Sequence, residues 1–270
     1  MKSGMTLAAT QSAHSLCRAC GGRAEALFNG QVLGRIAVSY HRCTACMTLQ
    51  LPSPHWLDEA YRHTPHPDPD SGRLMRAQIV HRVIRRLRAQ RLLASPLRVL
   101  DEGAGLGLLV RLLRDEGIEA WGHDRYAPAV VAEEFIVTQW PEGHFGLICA
   151  TEVIEHTEDP CDFVRGLAGR LNEAGVLLLT TELYHGQQVP EVGRWPYLAA
   201  QYGQHITFLS AAGLRAVATQ AGLVWWTSLE FAGSHCIHLL GNRTPSRWTL
   251  RRLAWRHARG EARWRDDGNI

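Results

Sequence analysis

The chain has 270 residues, enough for one ordinary domain and a smaller unit beside it. Its 29 basic and 26 acidic residues leave a formal charge of +3, too near balance for a chain that coats nucleic acid along its length. At 46% hydrophobic and 20% charged it is neither disordered nor collagen-like. No apolar run reaches the roughly 18 residues that a membrane span needs. The N-terminal MKSGMTLAATQSAHS lacks the apolar core of a signal peptide. The expectation is a cytoplasmic protein with no membrane partner.

Residues 1–16 read as a flexible start. Residues 17–70 form a small module and its linker, closing on the breaker-rich HTPHPDPDSG of residues 63–72. Four of the seven cysteines sit in this module as C-x2-C-x22-C-x2-C: Cys17, Cys20, Cys43 and Cys46. Each C-x2-C can wrap one side of a tetrahedral metal. Four thiolates leave no open position, so the expected ion is a structural Zn2+ and not a catalytic one. Between Cys20 and Cys46 only Arg23, Arg35 and Arg42 are basic, against Glu25. That is a poor stripe for phosphates, and nucleic acid is not the expected partner.

Residues 71–242 read as the main domain. Val80, Val83, Ile84 and Leu87 recur at helical spacing within 73–94, and Pro96 closes that helix. From Leu97 onward, apolar strands alternate with helices. Strands are expected at 97–101, 119–124, 135–138, 146–150 and 175–181. Helices are expected from Leu108 to Gly117, from Pro160 to Arg170 behind an Asp159 cap, and from a Ser210 cap to Gly222. LVWWTSLEF and HCIHLLG, joined by AGS at 232–234, read as an antiparallel pair at the sheet edge. This alternation predicts an α/β, doubly wound, Rossmann-like domain. Residues 243–270 carry eight Arg against Glu261, Asp266 and Asp267. Such a basic tail fits a helix packed on the domain or a homodimer arm.

The first strand of the main domain runs into Asp101-Glu-Gly-Ala-Gly-Leu-Gly107. Gly103, Gly105 and Gly107 let the backbone turn tightly beside a ligand. The residue three after Gly105 is Leu108, so the loop is not the dinucleotide fingerprint. Asp124 ends the second strand, where a carboxylate can accept from a ribose diol.

VLDEGAGLG, GHDRYAPA and FGLICATEVIEHTEDP together resemble the class I S-adenosylmethionine-dependent methyltransferases. The resemblance implies a seven-stranded sheet with its last strand antiparallel. It implies S-adenosyl-L-methionine as cofactor, with Asp101, Gly103 and Gly105 around the methionine part and Gly107 completing the loop. Asp124 would take the ribose, Gln139 or Trp140 the adenine, and Ala150 and Thr151 would lie under the sulfonium. Glu152 and His156 rank second as catalytic groups. Gly146 stands where the family commonly has Asp.

Tyr202-Gly-Gln-His205 resembles the Y-x-E-H segment of the sugar C-methyltransferases, and YHRCTACMTLQLPSP resembles their amino-terminal zinc module. That likeness implies His205 as the base removing a proton alpha to a ketone, with Tyr202 assisting. Gln204 stands where the family has Glu, and the family's further carboxy-terminal domain has no counterpart. The expected activity is C-methylation of a small molecule, a sugar nucleotide or natural-product intermediate. O-methylation of a small molecule and methylation of ribosomal RNA are the alternatives. Trp195 and Tyr197 are expected to wall the substrate.

Overall fold

The computed structural model describes residues 14–62, 71–127, 129–231, 235–246 and 264–265. The first 13 residues, most of the linker, the AGS turn and nearly all of the tail lie outside the described residues.

The N-terminal strands β1 (His14–Leu16), β2 (Arg23–Val32), β3 (Ile36–Cys43) and β4 (Leu49–Gln50) pair as antiparallel neighbours. Helix α1 (Leu57–Arg62) and then α2 (Ser71–Ala89) follow. Helix α2 ends earlier than its apolar periodicity predicts. Arg91 turns left-handed at φ 58°, and the Leu92 amide folds back onto the Leu87 carbonyl at 2.9 Å.

The second sheet contains β5 (Arg98–Glu102), β6 (Glu119–His123), β7 (Ile136–Val137), β8 (Phe145–Thr151) and β9 (Leu171–Thr180), all parallel. Helix α3 (Leu108–Asp115) follows β5, and α4 (Pro160–Ala168) joins β8 to β9. After the two-residue β10 (Thr207–Phe208) come α5 (Ala211–Gln220), β11 (Val224–Phe231) and β12 (His235–Gly241). In space the order is β11-β12-β9-β8-β5-β6-β7, with the two-residue β13 (Trp264–Arg265) on the outer edge of β11. Strand β12 runs antiparallel between β11 and β9. The seven-stranded, doubly wound sheet is therefore present, with its last strand reversed.

The continuous apolar runs have a simple cause. Val99, Leu147, Cys149, Val176 and Leu178 face one core, together with Val83 and Ile84 of α2 and Leu109 and Leu113 of α3. Leu100, Ile148, Ala150, Leu177 and Leu179 alternate into the other, together with Val164 of α4 and Leu214 of α5. Helices cover both faces, so neither side of these strands meets water. The helix starts follow the capping chemistry in the sequence. Asp159 accepts from the Asp162 amide at 2.8 Å, and Ser210 from the Gly213 amide at 2.9 Å.

The N-terminal sheet does not stop at residue 70. Strand β10 completes it, with Thr207 opposite Gln50 and Phe208 opposite Leu49. Arg18 donates to the Ile206 carbonyl at 3.0 Å and to the Thr207 hydroxyl at 3.2 Å. The Ser210 hydroxyl donates to the Cys46 carbonyl. Cys17, Ala19, Ala24, Cys43 and Cys46 share one core with residues of α4 and α5. The module and the main sheet are thus packed into one body. Among the described residues, no helix is long and apolar enough to cross a membrane.

Gly107 starts α3 at φ 82°, and a β-carbon there would sit 2.0 Å from the Val131 carbonyl oxygen. Gly107→Ala is expected to destabilise the fold by about 2 kcal/mol or more, because backbone strain and overlap act together. Denaturant titration measures it. An unchanged midpoint would contradict the tight turn.

Candidate active site

The carboxyl ends of β5 and β8 lie side by side where the strand order reverses, the place at which open α/β sheets bind ligands. Asp101, Gly103, Gly105, Gly107, Ala150 and Thr151 come together there. Asp124 joins them, its Oδ2 accepting from the Gly105 amide at 2.8 Å. Its Oδ1 accepts from the Tyr126 and Ala127 amides at 2.8 and 2.7 Å. A carboxylate has about four acceptor positions, so about one remains for a ligand hydroxyl.

Two buried atoms here have no partner: Asp101 Oδ1 and Thr151 Oγ1. Asp101 is 3% exposed, and burial first, then the neighbouring Glu102 and Asp124, push its carboxyl up to about 8. A β-carbon at Gly105 would meet nothing within 4 Å. Gly105 therefore borders open space, in the same loop that follows an acid with one unpartnered oxygen.

Gln139 is exposed and does not join this group. Its neighbour Trp140 donates its indole N–H to Glu102 at 2.7 Å, and His123 Nδ1 lies 2.9 Å from the same carboxylate.

A second cluster adjoins the end of β8. His205 donates from Nδ1 to the Tyr197 carbonyl at 2.7 Å, so in the neutral ring Nε2 carries the lone pair. Burial lowers its pKa below the usual histidine value, opposed by the Tyr197 carbonyl and Glu152. The His205 ring lies 4.8 Å from Tyr197 and 4.8 Å from His156, edge-on to the latter. His156 is pushed down to about 3 by burial and then by His205. The Tyr197 hydroxyl donates to Glu155 at 2.6 Å and lies 3.0 Å from the Thr181 hydroxyl. Glu152 accepts from the Thr180 hydroxyl at 2.8 Å.

Tyr202 is placed elsewhere. It is 55% exposed, and the tyrosine that meets His205 is Tyr197. A short 3-10 turn at Pro196–Leu198, with Ala199 left-handed at φ 44°, carries the chain past Tyr202 before it returns at His205. Trp195 does border the cluster, 5.4 Å from Tyr197, and its indole donates to Glu182 at 2.8 Å.

Sequence reasoning missed Glu155 and Tyr61. Glu155 lies inside the Glu152–His156 segment, and only its complete burial distinguishes it. Tyr61 of α1 stacks on Tyr126 at 4.2 Å and faces His156 at 6.4 Å. No local motif marks it, because α1 reaches the site only through the packing of the module.

The four cysteine thiols converge on one point, their sulfurs all within 4.8 Å of one another. Cys17 and Cys46 approach to 3.5 Å, as do Cys20 and Cys43. Tetrahedral zinc with sulfur at about 2.3 Å needs sulfur–sulfur edges of about 3.8 Å, so the donor set and its size fit.

The model of the methyltransferase domain matches residues 74–228, more than half of the chain. The chain belongs to this family. None of the curated proteins compared with it matches in sequence. Solved structures similar in shape include mitomycin 7-O-methyltransferase MmcR, 16% identical with a TM-score of 0.49, covering 64% of this chain and 55% of that one. The magnesium protoporphyrin IX methyltransferase ChlM from Synechocystis PCC 6803 is 17% identical with a TM-score of 0.47, covering 68% and 92%. The CcbJ methyltransferase from Streptomyces caelestis is 15% identical with a TM-score of 0.45, covering 69% and 95%. The chain spans little more than half the length of the first of these.

Proposed function

We propose that this methyltransferase acts on a small molecule, a sugar nucleotide or natural-product intermediate, and methylates the carbon alpha to a ketone. The observation that carries the reading is His205, held by the Tyr197 carbonyl so that Nε2 is the free base. A neutral imidazole next to the cofactor cleft suits removal of a proton near pH 7. Tyr197, and not the surface Tyr202, is the tyrosine that assists.

The residues at the switch point fit S-adenosylmethionine. Asp101 Oδ1 lacks the partner that an amino group would provide, and Thr151 Oγ1 is likewise open. Asp124 retains acceptor capacity for one ribose hydroxyl, and the space at Gly105 admits the ligand. When bound, the cofactor supplies an electrophilic methyl group on its sulfonium. The protein's part is to orient the acceptor carbon and take its proton. Cys17, Cys20, Cys43 and Cys46 would hold a structural zinc.

Purified protein with methyl-labelled S-adenosylmethionine, offered host small metabolites, RNA and protein separately, tests this reading. Label in the small-metabolite fraction supports it, and label in RNA overturns it. Deuterium uptake at a substrate carbon without cofactor separates carbon from oxygen chemistry.

Asp101 gives a pH signature. With its carboxyl pushed up to about 8, it is protonated in the free protein at neutral pH. An ammonium partner favours the carboxylate, so binding releases a proton. The dissociation constant for S-adenosylhomocysteine is expected to fall by up to about tenfold for each unit that the pH rises toward ~8 and to level above it. Asp101→Asn removes the slope. A wild-type affinity flat from about pH 6 to 8 would rule out this linkage.

A further inference from the structure

Glu155 is fully buried, and one of its oxygens accepts from the Tyr197 hydroxyl at 2.6 Å. Its Oε2 has neither solvent nor partner, and His156 Nδ1 is in the same state. Buried polar atoms are nearly always paired, so two unpaired ones on neighbouring residues call for a ligand. His205 brings a third free atom. Its Nδ1 is spent on the Tyr197 carbonyl, which leaves Nε2.

The three residues converge. One carboxylate oxygen of Glu155 and one ring nitrogen each of His156 and His205 lie within 4.8 Å of one another. A tetrahedral ion with nitrogen and oxygen ligands at about 2.1 Å needs edges of about 3.4 Å, so the groups must close by at most about 1.4 Å to meet on one. Their other contacts are those that metal ligands use. A ligating histidine hands its second ring nitrogen to a neighbour such as a carbonyl, and a ligating carboxylate is itself hydrogen-bonded. His205 has the Tyr197 carbonyl, His156 the Gln204 backbone and Glu155 the Tyr197 hydroxyl. Glu152 adds negative charge close enough to act on Glu155 and His205. Both histidines keep partial exposure, which gives an ion a way in. Two imidazoles and one carboxylate suit Zn2+ and its transition-metal neighbours.

We propose that Glu155, His156 and His205 form a second metal site, separate from the cysteines, for a divalent transition metal such as Zn2+. On the function proposed above, filling this site silences the enzyme. An ion on His205 Nε2 takes the lone pair that would accept the substrate proton, so coordination and proton removal exclude each other at that atom. The silencing rests on that function; the binding does not.

The test is titration of the full chain with Co2+, after dialysis against a chelator to one zinc per chain and without substrate. One further equivalent should bind, with visible ligand-field bands and no sulfur-to-cobalt charge transfer in the near ultraviolet. Glu155→Leu, His156→Phe and His205→Ala should each weaken it by at least about tenfold, the least that loss even of an outer-shell partner costs. Retained S-adenosylhomocysteine binding shows that each variant is folded. In the wild-type complex, two histidine ring N–H protons should be shifted by the paramagnetic ion, a readout that needs no variant. No further equivalent, thiolate bands, fewer than two shifted ring protons, or a smaller loss from any of the three substitutions in folded protein would overturn the proposal. Turnover that persisted in the cobalt-loaded enzyme would sink His205 as the base and leave the site standing.

Discussion

His205→Ala is expected to lower turnover by about 10²- to 10⁴-fold, the usual contribution of a positioned general base, while S-adenosylhomocysteine binding persists. The separation follows from distance along the fold. The proposed cofactor cleft is formed by the ends of β5, β6 and β8, whereas His205 stands on the segment leading into β10. Wild-type turnover should also keep its plateau to lower pH than an ordinary histidine allows, because burial lowers the His205 pKa. On acidification the base protonates and the rate falls, with the inflection below the ordinary histidine value of about 6.5. Full turnover in His205→Ala would remove it as the base. An inflection above that value would contradict its burial.

Removing metal from the cysteine site is expected to have the larger effect on stability. In small zinc peptides the metal contributes about 10–16 kcal/mol of binding free energy at neutral pH, and that energy is folding energy. Here the cysteines also share a core with α4 and α5, so the loss reaches the main domain. We expect one zinc per chain, released by a mercurial reagent and counted with a chromogenic chelator. Thermal stability should drop sharply, and Cys17→Ser or Cys43→Ser should give poorly folded protein. Metal-free protein that melts at the same temperature as the isolated holo form would show that the thiols need no ion.

Much of the architecture was legible because its causes are local. The Asp101–Gly107 loop, the Asp124 terminus and the two C-x2-C pairs are each written within a few residues. Asp159 and Ser210 announce their helices by the same short-range chemistry. Strand positions followed because both faces of β8 and β9 are covered, leaving unbroken apolar runs. Three features escaped because their causes are long-range. Strand β10 is only Thr207–Phe208, too short for periodicity, and exists because Leu49–Gln50 offers it an edge. Tyr202 and Tyr197 are both plausible neighbours of His205 in sequence. The left-handed turn at Ala199 and Gly203 decides between them. The resemblance implies Gln139 or Trp140 beside the adenine, but the strand before them is only Ile136–Val137, where a 3-10 turn at Glu133–Phe135 replaces its start.

Strand β10 also has a consequence for the order in which the molecule assembles. Ser210 and Cys46 are 164 residues apart, and Arg18 and Ile206 are 188 apart. Contacts across such separations close late, after the loop entropy of the intervening chain has been met. The parallel strands and the glycine loop pair over much shorter spans and can form ahead of them. The proposed cofactor cleft can therefore form before His205 is in place. The N-terminal module must meet the segment at 206–210 before His205 is held in position.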